Sequence, residues 1–179
     1  PIPTPGGTVD RLEIHPSTGV LSAQLGNGIH VHHLRRESMD GRVVITVTLA
    51  GGRIDEDAST RGLTRATAAF WEAPSTEALA ACDTKALLDA HAVELRHTIE
   101  PDRIRLEIES RAESAETVFR LLAATIASPS LERQAFTAWQ STAANDRAFR
   151  ETMPRAMLNE VIADALFPGD DPRHRSLSE

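Results

Sequence analysis

Tyrosine is absent from this chain, aromatic residues make up 4% of it, and cysteine occurs once, at Cys82. With so few rings there is no platform on which nucleic-acid bases could stack. A single thiol rules out an internal disulfide and a thiolate zinc site, but it does not fix the compartment, and cytoplasmic and exported locations both stay open. No apolar run approaches the ~20 residues that cross a bilayer, and no signal-peptide pattern opens the chain. The formal charge of −7 argues against nucleic acid as the main partner, because phosphate binding depends on basic charge. There is no Gly-x-Ser-x-Gly elbow for a serine nucleophile, and neither Asn27-Gly28 nor Gly51-Gly52 belongs to a phosphate loop.

What is present fits one domain with a short leader. Residues 1–10 are rich in Pro and Gly and read as an interdomain linker, so the chain is expected to be cut from something longer; residues 11–179 form the domain. Val20 to Leu25 and Ile29 to Leu34 flank Gly26-Asn27-Gly28, a strong hairpin signal. Val43 to Leu49 is rich in β-branched residues and predicts a third strand. Two short helical segments follow, Ser75 to Ala81 and Thr84 to Ala90. Val93 to Ile99 and Ile104 to Ile108 then alternate around Pro101-Asp102. A two-residue loop there sets Arg96 opposite Glu107 and Leu95 opposite Ile108, with one apolar and one charged face.

Three helices close the chain. The first is capped by Ser114 and carries Ala115, Val118, Phe119, Leu122, Thr125 and Ile126 as its expected buried stripe. The second runs from about Leu131 to Phe149 with Ala135, Trp139, Thr142, Asp146 and Phe149 inward. The third has Thr152 as cap, Pro154 near its start, and apolar positions Met157, Leu158, Val161, Ile162, Ala165 and Leu166. Strands and helices are segregated, so the fold class is α+β: an antiparallel sheet of about five strands with helices packed on one face.

The stretch 61–76 reads Arg-Gly-Leu-Thr-Arg-Ala-Thr-Ala-Ala-Phe-Trp-Glu-Ala-Pro-Ser-Thr. Leu63, Ala66, Thr67 and Phe70 have the spacing of a helix on a core, Ser59 or Thr60 can cap it, and Pro74 stops it. Following Gly51-Gly52 and the acidic Asp55-Glu56-Asp57, it resembles the zinc helix of the pitrilysin/insulinase peptidases, the inverzincins, with their Gly-Leu-x-His-x-x-Glu-His. The Leu-x-Asn-Gly-Ile-x-Val hairpin and the Leu-Phe-Pro…Asp-Pro-Arg ending are similar to that family too, so the resemblance spans about Leu25 to Ser178.

On that register Arg65 stands at the first metal His, Ala68 at the catalytic Glu and Ala69 at the second His, while Asp146 falls near the third-ligand Glu. The resemblance therefore implies a non-catalytic, C-terminally truncated copy of the peptidase domain, without catalytic or metal residues of its own. Zinc is expected in a catalytic partner domain, in the same chain or a paired subunit. This domain would wall a chamber that encloses peptide substrates, and the charged face of the 93–109 hairpin would contact substrate or the partner half. An ion pair between Arg65 and Asp146 is expected to fill the place of the metal. Truncation would leave apolar surface near the C-terminus, through which copies could associate.

A different reading makes the chain an active metallopeptidase with atypical ligands. His30 and His32 share a strand face and could chelate a metal, with His15 or Asp146 completing the set. A third makes it a scaffold subunit, like the core proteins of respiratory complexes that share the fold. Glu107, Glu109, Glu113 and Glu116 read as a solvated face rather than an acid/base pair. Trp71 and Trp139 read as core aromatics.

Overall fold

The computed structural model describes residues 7–39, 41–57, 59–60 and 62–166. Most of the linker and the Leu-Phe-Pro…Asp-Pro-Arg ending after Leu166 lie outside the described residues. The order is β1 (Val9–Ile14), β2 (Leu21–Leu25), β3 (His30–His33), β4 (Arg42–Ala50), α1 (Leu63–Glu72), β5 (Ser75–Thr76), α2 (Ala81–Ala90), β6 (Glu94–Ile99), β7 (Arg103–Arg111), α3 (Ala115–Ala127), β8 (Pro129–Ser130), α4 (Arg133–Glu151) and α5 (Pro154–Leu166). This is an α+β fold whose strands all pair antiparallel.

The strands are divided differently from the single five-stranded sheet expected. The Asn-Gly hairpin forms as predicted, with Gly28 at φ +85°, but it pairs with an unanticipated strand, β1, in a separate sheet of order β1-β2-β3. A second sheet has the order β4-β7-β6, and β5 and β8 make a two-residue ribbon. Alternation shows which residues favour strands, but it cannot say which edges meet.

Within the second sheet the predicted register holds. Arg96 faces Glu107 and Leu95 faces Ile108, because a two-residue loop and period-2 alternation leave one register that puts every apolar side chain inward. Leu106 and Ile108 are buried beneath α1 and α3, together with Ala69, Trp71 and Val118. The opposite face carries exposed Arg42, Arg96, Arg105 and Glu107. Helices therefore cover one face of this sheet, as the charge pattern required.

Several helical expectations need correction. Residues 75–80 are not a helix, and Ala81 begins α2: Ser75 and Thr76 pair with Ser130 and Pro129, and the Ser75 hydroxyl donates to the Ser130 carbonyl. On α3 the covered residues are Val118 and Thr125, whereas Phe119 and Ile126 are exposed, so the buried face is narrower than the apolar stripe. On α4 Thr142, Asp146 and Phe149 are exposed rather than inward. Thr152 does not cap α5; its hydroxyl donates to the Phe149 carbonyl and closes α4. Ser114 stands at the start of α3 without a side-chain cap bond, and its hydroxyl meets the His91 ring and carbonyl instead.

Candidate functional site

Helix α1 is the element on which the site is built, and its start is held from upstream. Neither Ser59 nor Thr60 caps it. Gly62 takes the left-handed N-cap conformation at φ +85°, and the buried Glu56 carboxylate accepts the backbone N–H groups of Gly62 (2.9 Å) and Thr64 (2.7 Å). Burial alone would raise the Glu56 pKa. Hydrogen bonds from the Thr64 side chain and from both N–H groups, with the Arg53 charge, outweigh it and hold the carboxyl below its ordinary value.

The other two carboxylates of the acidic turn are also occupied. Asp55 accepts the Gly52 N–H at 3.0 Å across the short 3-10 helix Arg53–Asp55. Asp57 accepts the hydroxyl and N–H of Ser59 and of Thr60, which lowers its pKa to about 2. Each member of Asp55-Glu56-Asp57 thus ties down backbone, so the turn is a clamp for the helix and not a row of free ligands.

Past the clamp, α1 packs against β6, α4 and the 3-10 turn. The buried residues of α1 are Thr64, Ala69 and Trp71, while Leu63 is exposed; Ala69 lies far around the helix from Thr64 and Trp71, so α1 is covered on more than one side and not only along its apolar stripe. Ala69 is 2% exposed, and Ala68 and Arg65 are half-buried. Ala69 is therefore enclosed by packed protein whereas Arg65 and Ala68 keep part of their surface open, and the only functional group among the three is a guanidinium.

Asp146 lies on α4 near enough for its charge to act on Arg65, but its side chain is exposed. Desolvation lowers the Arg65 pKa most, Arg150 and Arg53 lower it further, and Asp146 acts in the opposite sense. Among the described residues Arg65 and Asp146 do not form one of the ion pairs closer than 4 Å. The ion pair expected between them is therefore not seen as a contact, and the charges of Arg53 and Arg150 act on Arg65 as well.

The histidine candidates sit apart from this site, on the exposed β1-β2-β3 sheet. His32 Nδ1 and His15 Nε2 both meet the Ser22 hydroxyl, at 2.9 and 3.1 Å, and His30 faces Gln24 two pairs further along. Among the described residues no three His, Cys, Asp or Glu side chains are grouped to hold a metal ion. The pairing of His15 with His32 through Ser22 was not legible, because it depends on how β1 and β3 each register against β2.

No protein-family model matches this chain, and no curated protein matches it by sequence. Solved structures do resemble it. The periplasmic protease PqqL from Escherichia coli aligns over 97% of this chain and 19% of its own, with 16% identity and a TM-score of 0.79. The ferredoxin protease FusC, solved in complex with Arabidopsis ferredoxin, aligns over 90% of this chain and 18% of its own (16% identity, TM-score 0.76). A peptidase M16 inactive domain from Pseudomonas fluorescens aligns over 88% of this chain and 38% of its own, with 12% identity and a TM-score of 0.77. The chain thus has the fold of pitrilysin/insulinase-type peptidase domains and spans between about one-fifth and two-fifths of the length of these proteins. Among the described residues no helix is long and apolar enough to cross a membrane.

Proposed function

We propose that this chain is a non-catalytic peptidase-like domain of a multidomain zinc metallopeptidase, forming one wall of a chamber that encloses peptide substrates. The observation that carries the reading is the composition of α1: on a fold shared with peptidase domains, positions 65, 68 and 69 hold a guanidinium and two methyl groups. A guanidinium stays protonated and cannot ligate zinc, and alanine neither binds metal nor moves a proton. Nothing at these positions lowers the barrier to amide hydrolysis. Zinc then belongs to a catalytic partner domain, in the same chain or a paired subunit. The periplasmic location named for the Escherichia coli protein supports an exported parent.

Two surfaces suit a wall. Strand β6 is an outer strand of its sheet and lies beside α1, so an extended peptide can pair with it. On α5, Met157, Val161 and Leu166 are 54%, 64% and 67% exposed, an apolar surface suited to a partner domain or a second copy.

Calorimetric zinc titration with a peptide-hydrolysis assay on the 179-residue chain tests the proposal. The expected result is neither stoichiometric zinc nor hydrolysis. Tight zinc with hydrolysis, lost on His30→Ala or His32→Ala, would establish the atypical-ligand reading instead. An intact His-x-x-Glu-His elsewhere in the parent chain or operon is the complementary expectation; finding none would favour the scaffold reading.

A further inference from the structure

Three elements that pack together each bring an arginine to the neighbourhood of position 65. Arg65 projects from α1, Arg53 from the 3-10 turn that packs on α1, and Arg150 from α4, which packs on α1 from another side. Both neighbours repel the Arg65 charge, and Asp146 alone among the groups acting on it attracts. Glu56 draws on Arg53, but its carboxylate already receives the N–H groups of Gly62 and Thr64. Arg150 donates its Nε–H to the Asp146 backbone carbonyl at 3.4 Å, not to the carboxylate.

Arg65 is the member left over. It is half-buried, and among the described residues none of its N–H groups has a hydrogen-bond or ion-pair partner. A guanidinium carries five donors in a planar fork, and partly burying them unpaired beside two like charges is unfavourable. An oxyanion bound at Arg65 relieves both its unmet donors and the repulsion it feels from Arg53 and Arg150. A carboxylate fits the fork best, since two parallel N–H···O bonds match its plane. The chain as a whole has a formal charge of −7, so this positive cluster is a local exception that would fix where an acidic group lands.

We propose that Arg65, flanked by Arg53 and Arg150, is a carboxylate-binding site that takes an acidic group of a peptide lying against this face of the domain. The proposal rests on the chamber-wall reading for its ligand. The carboxylate could belong to an Asp or Glu side chain or to the peptide C-terminus, and the two sources are separable.

Three fluorescent peptides of equal length and otherwise identical sequence make the test, read by anisotropy with the 179-residue chain at low salt. One has an internal Glu and an amidated C-terminus, one has Gln and a free C-terminus, and one has Gln and an amide. At least one acidic peptide is expected to bind about tenfold more tightly than the neutral one, the worth of one charge-assisted hydrogen-bond pair, and the tighter of the two identifies the source. Arg65→Gln should remove that preference and Arg150→Gln should reduce it, with circular dichroism showing that both variants fold. Arg120→Gln, which alters an arginine paired with Glu116 on α3, should leave it intact. Equal binding of the three peptides, or a preference that survives Arg65→Gln, overturns the carboxylate site while leaving the chamber wall standing. No binding of any peptide overturns both.

Discussion

The carboxylate of Glu56 accepts the backbone N–H of Thr64 at 2.7 Å, eight residues further along, and so holds the first turn of the helix that carries Arg65, Ala68 and Ala69. Glu132 does the same for α2: its Oε1 accepts the Ala81 N–H at 2.8 Å, from 51 residues away. Neither helix has a side-chain cap from its own N-cap residue. Helix starts at this site are thus positioned by tertiary contacts, and the orphan N–H groups are satisfied only once the loops have docked.

Replacing Glu56 should loosen the site without touching it. Glu56→Ala removes a buried acceptor shared by two N–H groups and is expected to cost about 1–3 kcal/mol. The folded-state pKa lies below the ordinary 4.5, so the ionised form is the one stabilised. That contribution is present above pH 4.5 and is lost as pH falls through the folded-state value. Urea denaturation at neutral pH and at successively lower pH under 4.5 should show the wild type converging on Glu56→Gln in acid.

A histidine placed at position 69, where the proposed register would set a metal ligand, should be harmful. Ala69 is 2% exposed, and an imidazole there must push aside packed neighbours. Ala69→His is expected to destabilise by about 1–3 kcal/mol through overpacking. A chemical melt measures it; an unchanged midpoint would mean that an imidazole fits at position 69.

Gly52 permits a close approach that no other residue allows. A Cβ there would stand 2.4 Å from the carbonyl oxygen of Pro101, in the turn between β6 and β7. The same junction is tied by Gly51 N–H to Asp102 O (3.1 Å) and Ile54 N–H to Pro101 O (3.0 Å). Gly52→Ala must pry the turn from the loop that leads into α1, at an expected cost of about 1–3 kcal/mol. Amide exchange at Gly51 and Ile54 should quicken in the variant.

Adjacent residues of β7 should respond very differently. Leu106 is wholly buried, and Leu106→Ala is expected to cost about 2–5 kcal/mol in lost transfer and a residual cavity. Glu107 makes a 3.9 Å contact with Arg96 between two largely exposed side chains, so Glu107→Ala should cost under about 1 kcal/mol. Paired denaturation curves decide it, and similar costs would mean the sheet has a second covered face.

The sequence by itself determined what short range can determine. Period-2 alternation around Pro101-Asp102 specified the Arg96–Glu107 register, Asn27-Gly28 specified its hairpin, and apolar spacing located α1, α3, α4 and α5 to within a few residues. It also settled the chemistry unavailable at positions 65, 68 and 69, since side-chain identity needs no fold. Only the tertiary structure decided that the strands separate into distinct sheets and that Asp146 is exposed while Arg53 and Arg150 crowd Arg65. It likewise assigned the caps of α1 and α2 to glutamates that no local pattern singles out. Local periodicity records which face of an element is apolar, whereas burial, partner and electrostatic field are set by elements distant in sequence. A site made of three such elements becomes visible only when they are packed together.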